Sequence, residues 1–267
     1  MKGQTIWFLI LIFLSLPFAS SDAAAGAITI AGDPCSVPLA TKLAEAYRLQ
    51  NKGFEAEVST FSCTLGVFKA ADGEVDLGVS TQNGLSSNLP KGAVNTVIAK
   101  SPIVLVVNKS NPVNNLTYDQ LKGILSGSIK NWKEVGGKDL EIKNIMLEPC
   151  VRHTISKQVT PYAKDLSELR PDKAGNPVEY TNKLVSENES AIGQQIYGYE
   201  SNDVKVLPID GVLPDEITIP AKYTFYQDYN MVTQGKPAGA IKDFIEFSRS
   251  AEEKKIIESM RHIPAEQ

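Results

Sequence analysis

Three cysteines are the residues of this chain whose chemistry is most distinctive. Cys35, Cys63 and Cys150 are far apart in the sequence, yet each follows a predicted strand and directly precedes a predicted helix. In an open α/β sheet such positions border the crevice at the carboxyl ends of the strands, where ligands bind. A helix N-terminus also favours anions and lowers the pKa of a thiol. The pattern therefore indicates a site for an oxyanion, for a thiophilic species, or for both.

A disulfide is the structural alternative for two of these cysteines. Cys35 and Cys63 are the expected pair, because their loops belong to neighbouring βα units. Exported proteins meet oxidising compartments in which such bonds form and persist. An odd number of cysteines leaves at least one thiol over, and this pairing would leave Cys150 unexplained. Both interpretations stay open at this point.

The N-terminal segment has the order of a secretory signal peptide. Lys2 is followed by an apolar run over residues 6–13 and then by small residues near position 20. This order predicts removal of residues 1–23 and a mature protein in the periplasm. No later stretch approaches the roughly 20 continuous apolar residues that a membrane helix requires.

Composition and motifs exclude several classes of function. The formal net charge of −4 provides no basic field for nucleic acid. The chain has no Cys-x-x-Cys redox pair, so an enzyme is not expected and no catalytic residue is assigned. We expect no cofactor, and we expect a monomer.

The elements that must position the cysteines alternate between strands and helices, which predicts an α/β fold with mainly parallel strands. The predicted strands are residues 27–31, 55–61, 75–79, 98–107, 143–147 and 225–232. The predicted helices are residues 37–48, 65–71, 117–125, 152–162, 180–188, 238–249 and 251–260.

Residues 121–127 (LKGILSG) and 129–137 (IKNWKEVGG) resemble the phosphate-binding proteins of the periplasmic type II clamshell superfamily. The resemblance continues at residues 73–78, 191–193 and 235–244, and so covers nearly all the mature chain. It implies a two-lobed Venus flytrap fold, in which crossing strands join the lobes and closure buries the ligand. On this basis we predict one lobe at 24–107 and 225–267, and the other at 108–224.

The first two loops depart from the pattern of that family. Cys35-Ser36 stands where the family presents a hydroxyl or small residue, and Cys63 where a phosphate-holding serine is expected. Thr81 stands where the family has the acidic residue that accepts the proton of hydrogen phosphate. These changes indicate a solute other than phosphate.

The third loop departs further. The family's arginine followed by Ser-Gly-Thr is replaced by residues 148–154, in which Thr154 keeps its place and the arginine is moved to Arg152. Cys150 and His153 are the other candidate ligands of this loop.

The resemblance therefore extends to periplasmic arsenic-oxyanion sensors that feed two-component signalling. Thiolates select soft acceptors, so Cys35, Cys63 and Cys150 could together hold arsenite or a soft metal ion. Arsenate could instead be captured through hydroxyls, one guanidinium and helix N-termini, and the groups concerned are Ser36, Thr64, Arg152 and Thr154. The expected partner is a membrane histidine kinase.

Two alternatives remain. The first is the phosphate or oxyanion-binding component of an ABC uptake system, with a permease as its partner. The second is a periplasmic carrier of a soft metal such as copper(I), zinc or mercury, with His153 as an extra ligand.

Overall fold

The computed structural model describes residues 27–145, 149–170, 176–215, 219, 222–251 and 253–266, with the backbone alone for residues 149 and 150. The predicted signal peptide at residues 1–23 lies outside these ranges. In the part of the chain that is described, no helix has the length and apolarity to cross a membrane.

Strands and helices alternate along the described residues. The strands are β1 Ile28–Gly32, β2 Ala56–Thr60, β3 Leu77–Thr81, β4 Val94–Asn108, β5 Lys143–Ile145, β6 Glu168–Leu169, β7 Ala191–Ile196, β8 Val204–Leu207, β9 Tyr226–Thr233 and β10 Ile263–Pro264. The α-helices are α1 Val37–Gln50, α2 Leu65–Ala71, α3 Tyr118–Leu125, α4 Pro149–Gln158, α5 Pro177–Glu187, α6 Gly239–Phe247 and α7 Lys254–Ser259.

The first lobe is built on β2, β1 and β3, which lie side by side and run parallel. β9 and the first part of β4 continue this sheet in antiparallel pairing. Leu39 and Leu43 lie on the inner face of α1 and share a buried apolar cluster with Phe244 of α6. Because parallel strands end at the same edge of a sheet, the loops after β1, β2 and β3 are neighbours.

The second lobe is built on the remainder of β4, which pairs antiparallel with β7 and β8. β5 runs parallel to β7 and to β6. Trp132 is 1% exposed at the centre of its core, and the indole N–H donates to the Ser190 carbonyl at 2.8 Å. The Thr117 hydroxyl accepts the Gln120 amide at 3.1 Å, so Thr117 is the N-cap of α3.

β4 and β9 carry the chain between the lobes. β4 pairs with β9 as far as Pro102 and with β7 from Ile103 onward, so its partner changes at this point. β10 pairs with β4 beside the same point, at Lys100. The architecture is the predicted two-lobed α/β fold, and the boundaries at 107/108 and 224/225 stay a prediction.

Several strands and helices begin or end at residues other than the predicted ones. The strand predicted at residues 75–79 is observed as β3, two residues later, because Ser80 and Thr81 pair with Asn230 and Tyr229 of β9. The helix predicted at residues 152–162 begins at Pro149, a residue type suited to a first helical turn. Residues 149 and 150 therefore belong to α4, where a turn had been expected.

Candidate ligand site between the lobes

The candidate site lies where β1 and β3 end, at the edge of the first lobe that faces the second. Asp33 follows β1 directly, and Ser80 and Thr81 are the last residues of β3. Helix α1 begins four residues beyond Asp33, at Val37. This is the position at which open α/β sheets bind their ligands.

Asp33 is the central group of the site and is fully buried. Its Oδ1 accepts the backbone amides of Cys35 at 2.9 Å and Ser36 at 3.0 Å. Its Oδ2 accepts the Thr81 amide at 3.2 Å. Burial raises the pKa of this carboxyl from 3.8 to about 6, although the Ser80 hydroxyl and these three amides oppose the rise. Three backbone donors therefore converge on one carboxylate.

Asp33 is not among the site residues predicted from the sequence. The available signal was an acidic residue placed between a buried strand and the Pro34 that opens the next turn. Aspartate in such a place accepts backbone amides of the following turn, as it does here.

Ser80 and Thr81 carry two further hydroxyls at the end of β3. Both are buried, and neither makes a hydrogen bond of ordinary geometry with any described residue. The Ser80 hydroxyl is nevertheless close enough to Asp33 to lower its pKa. A buried hydroxyl without a partner costs about 1–3 kcal/mol, so both are candidates to bind a ligand. Thr81 was a predicted site residue and Ser80 was not.

Ser36 positions the first loop. Its hydroxyl accepts the Asp33 amide at 3.0 Å and lies 3.1 Å from the Val79 carbonyl, to which it can donate. Its carbonyl accepts the Tyr229 hydroxyl at 2.6 Å. The predicted ligand contact of the Ser36 hydroxyl thus competes with bonds that tie the loop to β3.

Cys35 lies where the two lobes meet. It is 1% exposed and belongs to the apolar cluster of the second lobe, together with Val151 and Ile155 of α4. Tyr199 has its pKa raised well above the ordinary value by burial and, to a lesser extent, by Cys35 and Asp33. Cys35 therefore lies close to Asp33 and Tyr199, at the lobe interface.

Cys63 is disulfide-bonded, and it has a φ of 28°, in the left-handed region. Cys35 keeps its thiol, so the expected Cys35–Cys63 disulfide is wrong. In this oxidation state Cys63 offers no thiolate to arsenite or to a soft metal. Thr64 follows it as the N-cap of α2 and makes no side-chain capping bond.

The described residues contain no group of three or more His, Cys, Asp or Glu that could hold a metal ion. The side chain of Cys150 lies outside the described part of the structure. The three-cysteine site for arsenite or a soft metal therefore stays a prediction for the reduced protein.

The third loop contributes one predicted residue to the lobe interface. Thr154 of α4 is buried, and its hydroxyl accepts the Gln227 amide of β9 at 2.8 Å. Arg152 instead lies over the Tyr162 ring at 4.8 Å and 3.8 Å from a Glu168 oxygen, both in its own lobe. His153 is exposed. The structure thus brings Thr154 to β9, one of the two strands that join the lobes, but does not bring Arg152 or His153 to Asp33.

Uncharged side chains connect β4, one of the two strands that join the lobes, to the candidate site. The His262 ring is 2% exposed and lies between the Ser101 hydroxyl at 2.8 Å and the Tyr199 hydroxyl at 3.1 Å. Burial lowers the pKa of His262 to about 3, so the ring is neutral at physiological pH. Tyr229, like Tyr199, has its pKa raised by burial and by the nearby Asp33.

A groove of about 330 Å³ marks the mouth of the cleft. Its first-lobe wall is formed by Pro34, Val37, Pro38 and Thr60, and its second-lobe wall by Asn176 and Pro177. Pro34 and Val37 flank Cys35 and Ser36, so this groove opens next to the loop that carries Asp33.

Comparisons with known proteins agree with this architecture. A sequence profile described as "PBP superfamily domain" matches residues 18–252. The phosphate-binding protein PstS of Bacillus subtilis (strain 168) is 28% identical over 251 residues, covering 91% of this chain and 82% of that protein. The phosphate-binding protein PstS 2 of Streptococcus agalactiae serotype V is 33% identical over 115 residues, 43% of this chain and 39% of its own length.

Solved structures give the same result. A Clostridium perfringens substrate-binding protein with bound phosphate, assigned to phosphate ABC transport, superposes with a TM-score of 0.78 at 27% identity, covering 90% of this chain and 100% of that one. An ABC-type phosphate transport receptor from Vibrio cholerae shares the fold, with a TM-score of 0.70 at 24% identity over 90% of this chain and 100% of that one. Because the profile spans well over half of the chain, this protein belongs to the PBP superfamily and has the fold of its phosphate-binding members.

Proposed function

We propose that this protein captures a small oxyacid, of the size of phosphate, between its lobes and presents it to an ABC permease. The observation that carries the proposal is a pair of buried hydroxyls at the end of β3, those of Ser80 and Thr81, that have no hydrogen-bond partner among the described residues. Ligands of open α/β sheets bind at this edge, and a buried hydroxyl without a partner is available to one. The names of the relatives, which refer to phosphate binding and phosphate transport, support the same class of ligand.

Binding would act by closing the two lobes. The Thr154–Gln227 hydrogen bond joins α4 of the second lobe to β9, which belongs to the sheet of the first. A ligand that contacts both lobes binds the closed form better and shifts the population toward it. A permease that recognises only the closed form would then receive loaded protein. The protein itself performs no chemical step in this scheme.

Arsenic-oxyanion sensing, with a histidine kinase as partner, is the second candidate. The observation that favours it is the Cys35 thiol, which is buried at the lobe interface beside Asp33. A thiol there could bond to arsenic as the lobes close. The relatives are named for phosphate, so this candidate depends on Cys35 alone among the described residues.

We further propose that the protein works outside the cytoplasm, in the periplasm. The predicted signal peptide at residues 1–23 supports export. The disulfide at Cys63 agrees with this location, because oxidising compartments maintain such bonds.

Isothermal titration of the mature chain with phosphate, arsenate and arsenous acid tests the proposed function. We expect at least one of these to bind with micromolar or lower Kd, and Thr81→Val to weaken that binding. Thr96→Val, on β4 of the same sheet, is the matched control and should not change it. Failure of all three ligands to bind would contradict the proposal.

The Cys35→Ser variant separates the two candidates. Loss of arsenous acid binding in this variant, with no phosphate binding in either protein, would favour arsenic sensing. Phosphate binding that is unchanged in Cys35→Ser would favour uptake.

A further inference from the structure

The Asp33 carboxylate occupies the amide cluster where an oxyanion would otherwise bind. Its two oxygens accept the amides of Cys35, Ser36 and Thr81 at 2.9, 3.0 and 3.2 Å. A ligand that enters this edge of the sheet therefore meets amides that already hold a negative charge. An anionic ligand would have to displace that carboxylate or lie against it.

Among the residues that the structure describes, no positive side chain compensates this charge. Burial raises the pKa of Asp33, and the Ser80 hydroxyl and the three amides lower it. No lysine or arginine contributes to the shift. Tyr199 from the second lobe and Tyr229 from β9 lie near the carboxylate, and both stay neutral because burial raises their pKa values. The Cys35 thiol is the other titratable neighbour, and it would add negative charge if it ionised. A second anion in this buried place would be strongly repelled.

The groups that remain available suit a ligand with hydroxyls. Ionised Asp33 can only accept hydrogen bonds. The Ser80 hydroxyl near it and the Thr81 hydroxyl at the same end of β3 have no partner of ordinary geometry among the described residues, and each can donate or accept. An acid with several O–H groups can donate to Asp33 and exchange a hydrogen bond with the Ser80 hydroxyl.

We propose that Asp33 selects the protonation state of the ligand, so that the site takes an uncharged, hydroxyl-bearing acid in preference to a dianion. This inference rests on the proposed function, which it narrows to acids such as arsenous or boric acid. A dianion such as hydrogen phosphate would be excluded by charge repulsion. A purely structural Asp33, which only caps the turn before α1, would affect all ligands alike.

Titration calorimetry at about pH 8 tests the inference, because Asp33 and most of the phosphate are then ionised while arsenous and boric acids are mostly uncharged. The proteins are the wild type, Asp33→Asn and Asp33→Ser, with Asp76→Asn as control. Asp76 lies just before β3, at its other end, and its carboxylate likewise accepts a backbone amide, that of Thr29 at 2.7 Å. Boric acid is included because it forms no stable bond to a thiol, which separates charge selection from sulfur chemistry at Cys35.

We expect the wild type to bind an uncharged acid at least about tenfold more tightly than phosphate. The Asp33 variants should bind phosphate about tenfold more tightly than the wild type does and bind the uncharged acids more weakly. Asp76→Asn should leave the ratio unchanged.

Each contrary result has a distinct meaning. Tighter binding of phosphate than of both uncharged acids by the wild type would overturn the inference and leave the proposed function intact. Equal weakening of every ligand by the Asp33 variants would also overturn it, because it indicates a structural role. No binding of any probe would instead contradict the proposed function. If neither Asp33 variant folds by circular dichroism, the wild-type preference alone decides.

Discussion

Asp33→Asn should remove a pH dependence of stability that the wild type shows between pH 3.8 and about 6, the ordinary and folded-state pKa values of Asp33. The folded protein holds this proton more tightly than the unfolded chain does. Stability from this group is therefore fully present below pH 3.8 and is lost as the pH rises through about 6. One pKa unit corresponds to about 1.4 kcal/mol, so the loss should total about 3 kcal/mol. Full burial means that solvent screens little of this effect.

The assay is urea unfolding of the mature chain at a series of pH values, followed by the fluorescence of buried Trp132. His262 complicates the wild-type curve, because its lowered pKa makes stability rise over an overlapping pH range. The diagnostic quantity is therefore the difference in free energy of unfolding between the wild type and Asp33→Asn at each pH. Asp76→Asn serves as the control for loss of a carboxylate.

The difference should change by about 3 kcal/mol between pH 3.8 and about 6, in the direction that favours the asparagine variant at higher pH. A difference that stays constant within about 0.5 kcal/mol over this range would refute the assignment of a buried, weakly compensated carboxylate. An opposite slope would mean that a positive group pairs with Asp33.

Three further outcomes follow from the same contacts. His262→Gln should reduce the acid sensitivity of the protein, because the buried neutral ring makes the folded state less stable as the pH falls from 6.5 toward about 3. Urea unfolding across that range measures the effect, and an unchanged loss of stability at low pH would contradict the prediction. Thr81→Val should leave the free energy of unfolding equal or higher, because its buried hydroxyl has no partner in the described part of the chain, while ligand affinity falls about tenfold. Loss of stability with unchanged affinity in calorimetry would contradict this prediction. Thr154→Val should remove the hydrogen bond from Gln227 and weaken ligand binding by a factor of about 5, which corresponds to about 1 kcal/mol in the free energy of lobe closure. The Thr96→Val control should bind normally. Equal affinities of the wild type and both variants would show that the contact does not assist closure.

Most of the fold could be predicted from the sequence, because the main elements carry strong local signals. Leu39 and Leu43 recur at helical spacing, and Thr117 is a cap residue that precedes an apolar helical face. The error at β3 has a nonlocal cause. Ser80 and Thr81 look like turn residues, yet their backbones pair with β9, which is about 150 residues further along the chain.

The site was only partly predictable. The carboxyl ends of parallel strands could be identified from the sequence, and Cys35 and Thr81 lie at two of them. Their contact with a ligand stays a prediction. Asp33 was not predicted because the first loop was interpreted through the chemistry of its cysteine, and because the burial of a carboxylate cannot be read from the sequence. The orientation of Arg152 toward Tyr162 and Glu168 also depends on side-chain packing that no local pattern encodes.

The proposed function requires that one small oxyacid binds at the ends of β1 and β3 and is enclosed by the second lobe. Amide NMR spectra of the labelled mature protein, recorded during titration with phosphate and with arsenous acid, test it most directly. We expect the largest shifts at the amides of Asp33, Cys35, Ser36, Ser80 and Thr81, with a second group at Thr154 and Gln227. Saturable binding that shifts other amides and leaves these unchanged would contradict it.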